Sequence, residues 1–450
     1  MKNRAAWRLY ISAALFYSLL LANRYFEWGS PLHSPLQHIL LMSGAAALWM
    51  SCLMGFFFSE ISSWVYVLIV LIPIEFSYPF WKLPSLTPID FLGMAAIAAF
   101  ALKNRWMVWK QDLLTIFGAW TLSAWISFFL YACLSAYFLH GNLRGTFRWG
   151  LFLFGYLVTA KAITGPTAQT FSKTVCRLLA IAGSLIGALA VAQYITSGCD
   201  YMQVTGTFRQ HNSVGMFLSL CLPAAWYGCL SLEESPIALR FFETGLILIG
   251  LILCYSRGAW MGLVVGSLTV FMTRRNIQLS FSWIGGFVFA LVIIMFIGRH
   301  IRADINGRNW YLKIGFDIIK AHPWFGLGPG NYASQIKSYL TGEPALLYKL
   351  DLIYNNGIYF WIHLHNLYLQ YLVEYGLTGA TFFFCALGLL VSKAFRSDPT
   401  WLNTACLISI IGFLVHNLVD ILAVNSFDVL FGILIALAQT TASPQETPLL

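Results

Sequence analysis

The feature that most constrains this chain is a series of long, continuous apolar runs that recurs along the whole sequence. The runs are not interrupted at every second residue, which favours membrane-spanning helices over the strands of a membrane barrel. Fourteen runs are counted, or 12 if the third and fourth are set aside, because a spanning helix usually needs about 20 residues. The runs are Arg8–Asn23, Leu36–Phe58, Ile61–Ile74, Asp90–Leu102, Leu113–Leu139, Trp149–Ile163, Val175–Thr196, Ser213–Leu230, Ala238–Tyr255, Ala259–Thr273, Phe281–Gly298, Leu377–Phe395, Leu402–Val419 and Phe427–Thr440.

Composition supports the same class of protein. Of the 450 residues, 59% are hydrophobic and only 10% are charged, which is too little polar surface to cover a soluble globule of this size. The nine cysteines are scattered without paired spacing, so neither a disulfide framework nor a cysteine metal site is indicated. We therefore predict an all-α, polytopic membrane bundle with 12 to 14 transmembrane helices.

The distribution of basic residues predicts the orientation of the bundle. If the N-terminus is cytoplasmic, about half of the 27 Lys and Arg residues fall in the N-terminal segment and the inner connections. Seven of the others lie in one long outer loop, to which the positive-inside rule does not apply. No small-residue cleavage site follows the first run, so it is expected to remain as a helix. Both termini are expected in the cytoplasm.

Four segments are expected along the chain. They are N-terminal transmembrane helices at 1–200, further transmembrane helices with outward arginine turns at 201–298, an outer loop with amphipathic helices at 299–362, and C-terminal transmembrane helices at 363–450. The stretch Trp310–Ile319 has apolar residues at helical spacing, so the loop is expected to form a cap on the membrane face. Within "HPWFGLGPGNY" (His322–Tyr332), Pro323 should end a helix and three glycines should form tight turns.

Four polar groups on the outer side have no evident role in lipid-facing helices. The first is "TGTFRQHN" (Thr205–Asn212), where Arg209 and His211 directly precede a helix. Free backbone N–H groups at a helix start, together with a guanidinium, suit a phosphate or another anion. The alternative is an ordinary polar loop that ends in an Asn cap.

The second group is "CYSRGAW" (Cys254–Trp260), in which Arg257 occupies a very short connection between two spanning helices. A snorkelling side chain at the membrane border would explain it without a ligand. An outward arginine nevertheless works against the charge rule for this orientation, which favours a role in binding.

The third group is "GRNWYLK" (Gly307–Lys313), which carries Arg308 and Tyr311 at the start of the amphipathic loop helix. This loop holds seven basic residues, so a solvated loop charge is an equally simple explanation.

The fourth group, "HLHNLYLQYLVEYGLTGA", begins at His363. In a continuous helix His365 and Tyr368 would share a face, whereas His363 and His365 would point apart, which argues against a zinc pair. A neutral histidine at the membrane surface suits a general base. The alternative is a capping or interhelical hydrogen-bonding histidine. Together, the four groups predict an outer cavity ringed by arginines, with one titratable base and space for a lipid diphosphate.

The order of "TGTFRQHNSVGMFLSLCLP", "YSRGAWMGLVVG", "GRNWYLKIGFDIIKAHPWFGLGPGNY" and "HNLYLQYLVEYGLTGA" resembles the O-antigen ligase and polymerase superfamily of bacterial membrane glycosyltransferases. The resemblance covers residues 200–395. In the ligases, HN or HS is followed by nine residues and then G-x-x-G, and here His365 and Asn366 precede Gly376 and Gly379 at that spacing. Ala380 stands where a Thr is frequent, a small departure.

The resemblance implies a GT-C-type bundle with a periplasmic helical cap in the bacterial inner membrane, and an active site that faces the periplasm. Arg257 and Arg308 would bind the diphosphate of an undecaprenyl-diphosphate-linked glycan, with Arg209 as a less regular third arginine. His365 would take the proton from a lipid A-core hydroxyl in an inverting transfer. No cofactor, metal ion or nucleic acid is expected. The expected supporting residues are Asn366, His211, Tyr311 and Tyr368.

Other activities remain open at this point. O-antigen polymerases often have a glycine eleven residues after an outer-loop arginine, but Leu220, Leu268 and Ile319 occupy those positions here. O-oligosaccharyltransferases tend to carry an added segment after the last helix, and this sequence ends a few residues after its last run. Both points favour the ligase. A transporter of the same lipid-linked glycan is the alternative from another class, but it would not need a base and usually shows related helical halves.

Overall fold

A computed structural model describes residues 60–73, 93–99, 113–164, 167–208, 210–231, 236–273, 312–339, 363–421 and 425–440. Within these ranges the chain is helical and contains no strand, which confirms the predicted all-α membrane class. The helices used below are α1 Ile61–Leu71, α2 Ala119–Phe138, α3 Arg144–Ile163, α4 Ala168–Thr196, α5 His211–Ser231, α6 Ile237–Leu253, α7 Arg257–Thr273, α8 312–321, α9 Tyr332–Gln335, α10 Leu367–Arg396, α11 Trp401–His416 and α12 Asn425–Leu437. Residues 93–99 and 113–117 are also helical.

Three of these helices, α2, α4 and α10, are long and apolar enough to cross a membrane. Shorter apolar helices include α1, α11 and most of α12. Large apolar side chains on α2 remain exposed, including Trp120 at 84% and Tyr137 at 75%. Such surface is costly in water but not in lipid, so exposure supports the membrane assignment. Several predicted runs lie outside the described residues, and the expected total of 12 to 14 spans is therefore not tested.

The helices pack around one large apolar core, some neighbours parallel and others antiparallel. α3 packs along α12, α7 along α11, and α4 along α5 and α6. Small residues allow some of these helices to approach closely: a Cβ on Gly262 would lie 2.5 Å from the backbone oxygen of Gly412. Ion pairs among the described residues also join helices, Arg148–Asp428 between α3 and α12 and Arg177–Glu243 between α4 and α6.

One end of the bundle, called the site end here, gathers the connections α2–α3, α4–α5, α6–α7 and α11–α12 with residues 322–339 and 363–366. Asn142 N–H donates to the Pro329 carbonyl at 2.6 Å, and Asn212 Nδ2 donates to Asp420 at 2.8 Å. The opposite end carries basic residues such as Lys161 and Arg396 in the last turns of α3 and α10. The predicted orientation expects basic residues at an inner end of this kind.

Two predicted runs differ in detail from the observed helices. The run Leu113–Leu139 is interrupted at Gly118, whose φ of 78° separates residues 113–117 from α2. The run that begins at Leu377 is only the second part of α10, which starts ten residues earlier at Leu367 and breaks at Gly376. The predicted turn glycines of the outer loop are confirmed, since Gly326, Gly328 and Gly330 all have positive φ.

Candidate active site

The start of α10 is fixed against the end of α11 by backbone and side-chain hydrogen bonds. Leu367 N–H donates to the Asn417 carbonyl at 2.9 Å, and Asn366 Nδ2 donates to the Leu418 carbonyl at 2.9 Å. Asn366 also caps its own helix, because its side-chain oxygen accepts from Leu369 N–H at 2.9 Å. The predicted supporting residue Asn366 thus joins two segments of the site end.

His365, the predicted base, lies directly before this cap and pairs with a carboxylate. Its Nδ1 is 3.0 Å from Oδ1 of Asp420, which follows α11. An ionised carboxylate only accepts hydrogen bonds, so Nδ1 carries the proton and Nε2 is left as the basic nitrogen. The His365 side chain is 19% exposed and that of Asp420 only 6%. The imidazole is therefore the accessible member of the pair, and the carboxylate supports it from behind.

Asp420 receives further hydrogen bonds that hold it in place. Asn212 Nδ2 donates to its Oδ2 at 2.8 Å, and the backbone N–H of Ile421 donates to its Oδ1 at 2.8 Å. Burial acts to raise the pKa of Asp420, but the hydrogen bond and electrostatic interaction with His365, together with the proximity of His363 and His416, outweigh burial. The net result is a pKa well below the ordinary value, so Asp420 is ionised across the physiological range.

His363 lies beside the pair, with its ring centroid 4.3 Å from that of His365. Its Nδ1 accepts the backbone N–H of His365 at 3.2 Å. Burial and the adjacent His365 lower the pKa of His363 to about 4, so it is neutral at physiological pH. The expectation that the two histidines point apart is wrong, because both precede the helix, which begins only at Leu367.

The same correction removes the helical-spacing argument against a metal ion. Ligand atoms of His363, His365 and Asp420 lie within 4.8 Å of one another, close enough for a metal site. Two of the three residues nevertheless already accept hydrogen bonds within the protein: His363 Nδ1 accepts a backbone N–H, and both oxygens of Asp420 accept from protein donors. A metal ion would have to displace these hydrogen bonds, so the group fits a base with its support better than a ligand set.

The backbone at His365 is left-handed, with φ of 49°. Tyr255, two residues before Arg257, has φ of 51°. Non-glycine residues adopt this conformation at a cost and only where their surroundings impose it, a feature found often at functional sites. The motif "CYSRGAW" and the motif that begins at His363 therefore each contain one non-glycine residue in the left-handed conformation.

Arg257, a predicted diphosphate-binding residue, is the first residue of α7. The helix enters the site end through close contacts: a Cβ on Gly258 would lie 2.4 Å from the ring of His416, and a Cβ on Gly215 would lie 2.3 Å from Ser256. The half-buried Arg257 therefore precedes the residue that packs on His416, and His416 interacts electrostatically with Asp420. Its position at a helix N-terminus also suits an anion.

The other predicted site residues have different outcomes. His211 begins α5, where its ring lies edge-on to Tyr201, while the next residue, Asn212, makes the contact with Asp420. Tyr368 donates to the Leu414 carbonyl at 2.8 Å and so ties α10 to α11. Arg209, Arg308 and Tyr311 lie outside the described residues.

Sequence reasoning missed Asn212, His416 and Asp420. A signal for them exists in the form of three His–Asn pairs, His211–Asn212, His365–Asn366 and His416–Asn417. Each stands at a helix end, and all three are brought to the site end. The repeated His–Asn pairs can be recognised in the sequence. Asp420, the carboxylate that lies near them, cannot, because it is a single acidic residue after an apolar run.

A comparison with known protein families gives independent support for the predicted family. Residues 244–384 match the family described as O-antigen ligase. The matched segment includes Arg257, His365 and Asn366, whereas Asp420 lies beyond it. No curated protein matches the chain. Together with the helical membrane fold, the matched domain supports the O-antigen ligase and polymerase superfamily as the family that residues 244–384 resemble.

Proposed function

We propose that this protein is an O-antigen ligase of the bacterial inner membrane. It transfers a glycan from undecaprenyl diphosphate to a sugar hydroxyl of lipid A-core on the periplasmic face. The observation that carries this proposal is the pairing of His365 Nδ1 with Asp420 at 3.0 Å, which fixes the tautomer and the orientation of a partly exposed imidazole. Transport alone would not need such an oriented base.

In the proposed reaction, Nε2 of His365 removes the proton from the acceptor hydroxyl as its oxygen attacks the anomeric carbon. The new glycosidic C–O bond forms on the opposite side from the bond that breaks, so the configuration inverts. The leaving undecaprenyl diphosphate departs with the electron pair of the broken bond. Asp420 stabilises the imidazolium that results and keeps its ring oriented.

Arginines provide the charge that the departing diphosphate needs. Arg257, at the start of α7, and the predicted contributors Arg308 and Arg209 would bind it through charge-assisted hydrogen bonds. The reaction is proposed to be metal-independent, since guanidinium groups supply the positive charge otherwise provided by a divalent ion. Basic residues such as Lys393 and Arg396 at the opposite end of α10 support a periplasmic site end and cytoplasmic termini.

A reconstituted assay tests the proposal with purified protein, undecaprenyl-diphosphate glycan and lipid A-core. His365→Ala and Arg257→Ala should each abolish most transfer to core. Matched controls are His322→Ala, on an exposed histidine of the outer loop, and Arg396→Ala, at the far end of α10. Transfer that survives His365→Ala would remove the base. Chain elongation without transfer to core would assign a polymerase instead, and loss of activity in EDTA would refute the metal-free mechanism.

A further inference from the structure

The break in α10 at Gly376 is filled by the backbone of the glycine-rich outer loop. Gly376 has φ of 63° and ψ of −174°, which interrupts the helical hydrogen-bond ladder. Residues 323–328 replace the missing partners on both sides of the break. The four bonds are Leu327 N–H to Val373 O at 2.9 Å, Gly328 N–H to Glu374 O at 2.9 Å, Leu377 N–H to Pro323 O at 2.8 Å and Thr378 N–H to Trp324 O at 3.2 Å.

The contact is between backbones and excludes side chains. A Cβ on Gly376 would lie 2.4 Å from the carbonyl of Trp324, and one on Gly326 would lie 2.6 Å from the carbonyl of Glu374. Tyr131 of α2 adds a further bond, with its hydroxyl donating to the Tyr375 carbonyl at 2.7 Å. The loop residues 323–328 therefore fit closely against the break in α10 at Gly376, and this contact is called the joint below.

Two side chains on the first part of α10 connect this joint to the base. Glu374 accepts the backbone N–H of Gly330, in the loop, and also accepts from Gln370 Nε2 at 2.8 Å. Gln370 in turn accepts the backbone N–H of Leu364 at its Oε1, at 3.1 Å. The hydrogen bonds thus run from Gly330 through Glu374 and Gln370 to the residue directly before His365.

Packing follows the same route. The buried side chain of Leu364 belongs to a small apolar cluster with Ile314 of α8, Leu327 of the loop and Val373 of α10. The left-handed backbone of His365 is thereby held from two directions, by Leu364 on the loop side and by the α11 contacts of Asn366 and Leu367. Such a conformation persists only when its surroundings hold it.

We propose that Gln370 and Glu374 are positioning residues that couple docking of the outer loop to the orientation of the catalytic histidine. The inference rests on the proposed function, in which His365 is the base. Their hydrogen bonds lead to the backbone N–H of Leu364, and through that residue they act on His365. A loose loop would leave His365 present but misplaced, and a misplacement of about 1 Å costs about 100-fold in rate.

An exchange of the two side chains tests the proposal. In Gln370→Glu two carboxylates face each other, and in Glu374→Gln one acceptor is lost. The double variant Q370E/E374Q restores every bond, because the carboxylate now at position 370 accepts from Leu364 N–H and from the new amide at position 374, whose oxygen accepts from Gly330. We expect kcat to fall about 10- to 100-fold in each single variant with KM changed less than about 3-fold, and to recover to at least about half in the double variant.

A second readout does not depend on glycosyl transfer. Carbethoxylation of His365 by diethylpyrocarbonate, followed by mass spectrometry of its peptide in intact membranes, reports the environment of the imidazole. The single variants should change that rate at least about 3-fold and the double variant should restore it. Unchanged labelling and kcat in Gln370→Glu, or a double variant as impaired as the single ones, would overturn the proposal. Should His365→Ala remain active while labelling follows the exchange, the proposed base fails and the coupling stands.

Discussion

Asp420 accepts a hydrogen bond from His365 across 55 residues of sequence, at 3.0 Å, and lies shortly after α11 ends at His416. The contact exists only because α10 and α11 meet at the site end. It turns a histidine at a helix start into an oriented base, and it makes the carboxylate the most informative residue to alter.

Asp420→Asn should therefore lower transfer to the acceptor about 10- to 100-fold, with little change in the affinity for either substrate. The amide keeps the size of the side chain, but it removes the charge that stabilises the imidazolium and offers an N–H group towards Nδ1, which favours the wrong tautomer. Steady-state kinetics of the purified protein measure the change. Asp398→Asn, in the connection after α10, is the matched control. A variant at position 420 with more than half of wild-type kcat would contradict this role.

His363 should make folding stability depend on pH. Burial and the neighbouring His365, opposed in part by Asp420, lower the pKa of folded His363 to about 4, whereas an unfolded histidine titrates near about 6.5. Between these values the unfolded chain binds a proton that the folded state excludes, so stability contributed at this site falls as pH is lowered from about 6.5 to about 4.

His363→Asn should reduce that fall, since the amide oxygen can still accept the backbone N–H of His365 but does not titrate. Thermal unfolding in detergent between pH 7.5 and 4.5 measures the slope, with His322→Asn as control. Parallel curves for wild type and His363→Asn would show that folding does not lower the pKa of His363.

How much of this arrangement the sequence predicts depends on the range of the interactions involved. Local patterns locate the second part of α10, the turn glycines and His365 as a polar residue before an apolar run. The first part of α10 was not predicted, because its break at Gly376 is stabilised by the carbonyls of Pro323 and Trp324, some 50 residues earlier. Asp420 was missed for the same reason: its partners Asn212 and His365 come from two distant segments, and no local pattern distinguishes it.

Gly376→Ala should destabilise the joint between loop and helix. The new Cβ would collide with the backbone of Trp324, and alanine is strained at a φ of 63°. We expect a loss of about 2 kcal/mol or more in stability and faster proteolysis within residues 323–330. Gly388→Ala, in the same helix with open space around it, should be neutral or stabilising by up to about 1 kcal/mol. Equal behaviour of the two variants would mean that the joint does not support the fold.

Removal of one partner of the buried ion pair between Arg148 and Asp428 should destabilise the protein strongly, whereas replacement of both by apolar residues should destabilise it much less. The side chains are 15% and 1% exposed, so removal of one partner takes from a buried charge the ion pair that surroundings with little solvent make it depend on. Asp428→Leu alone should cost about 3 to 5 kcal/mol, whereas Arg148→Met with Asp428→Leu should recover most of that loss. Thermal unfolding of the four variants in a double-mutant cycle gives the coupling. Additive losses would show that the two charges act independently.

Gly258→Ala should lower activity, because Gly258 lies between the turn that carries Arg257 and His416, which is close to the support of the base. A Cβ at this position would lie 2.4 Å from Cδ2 and 2.6 Å from Nε2 of His416, an imidazole fixed at the end of α11 close to Asp420. Either α7 moves outward, taking Arg257 with it, or His416 shifts towards the carboxylate, and both movements should lower kcat about 10-fold or more. Gly245→Ala, in open space on α6, is the control. Full activity of Gly258→Ala would show that the turn carrying Arg257 tolerates displacement and is not part of the fitted site.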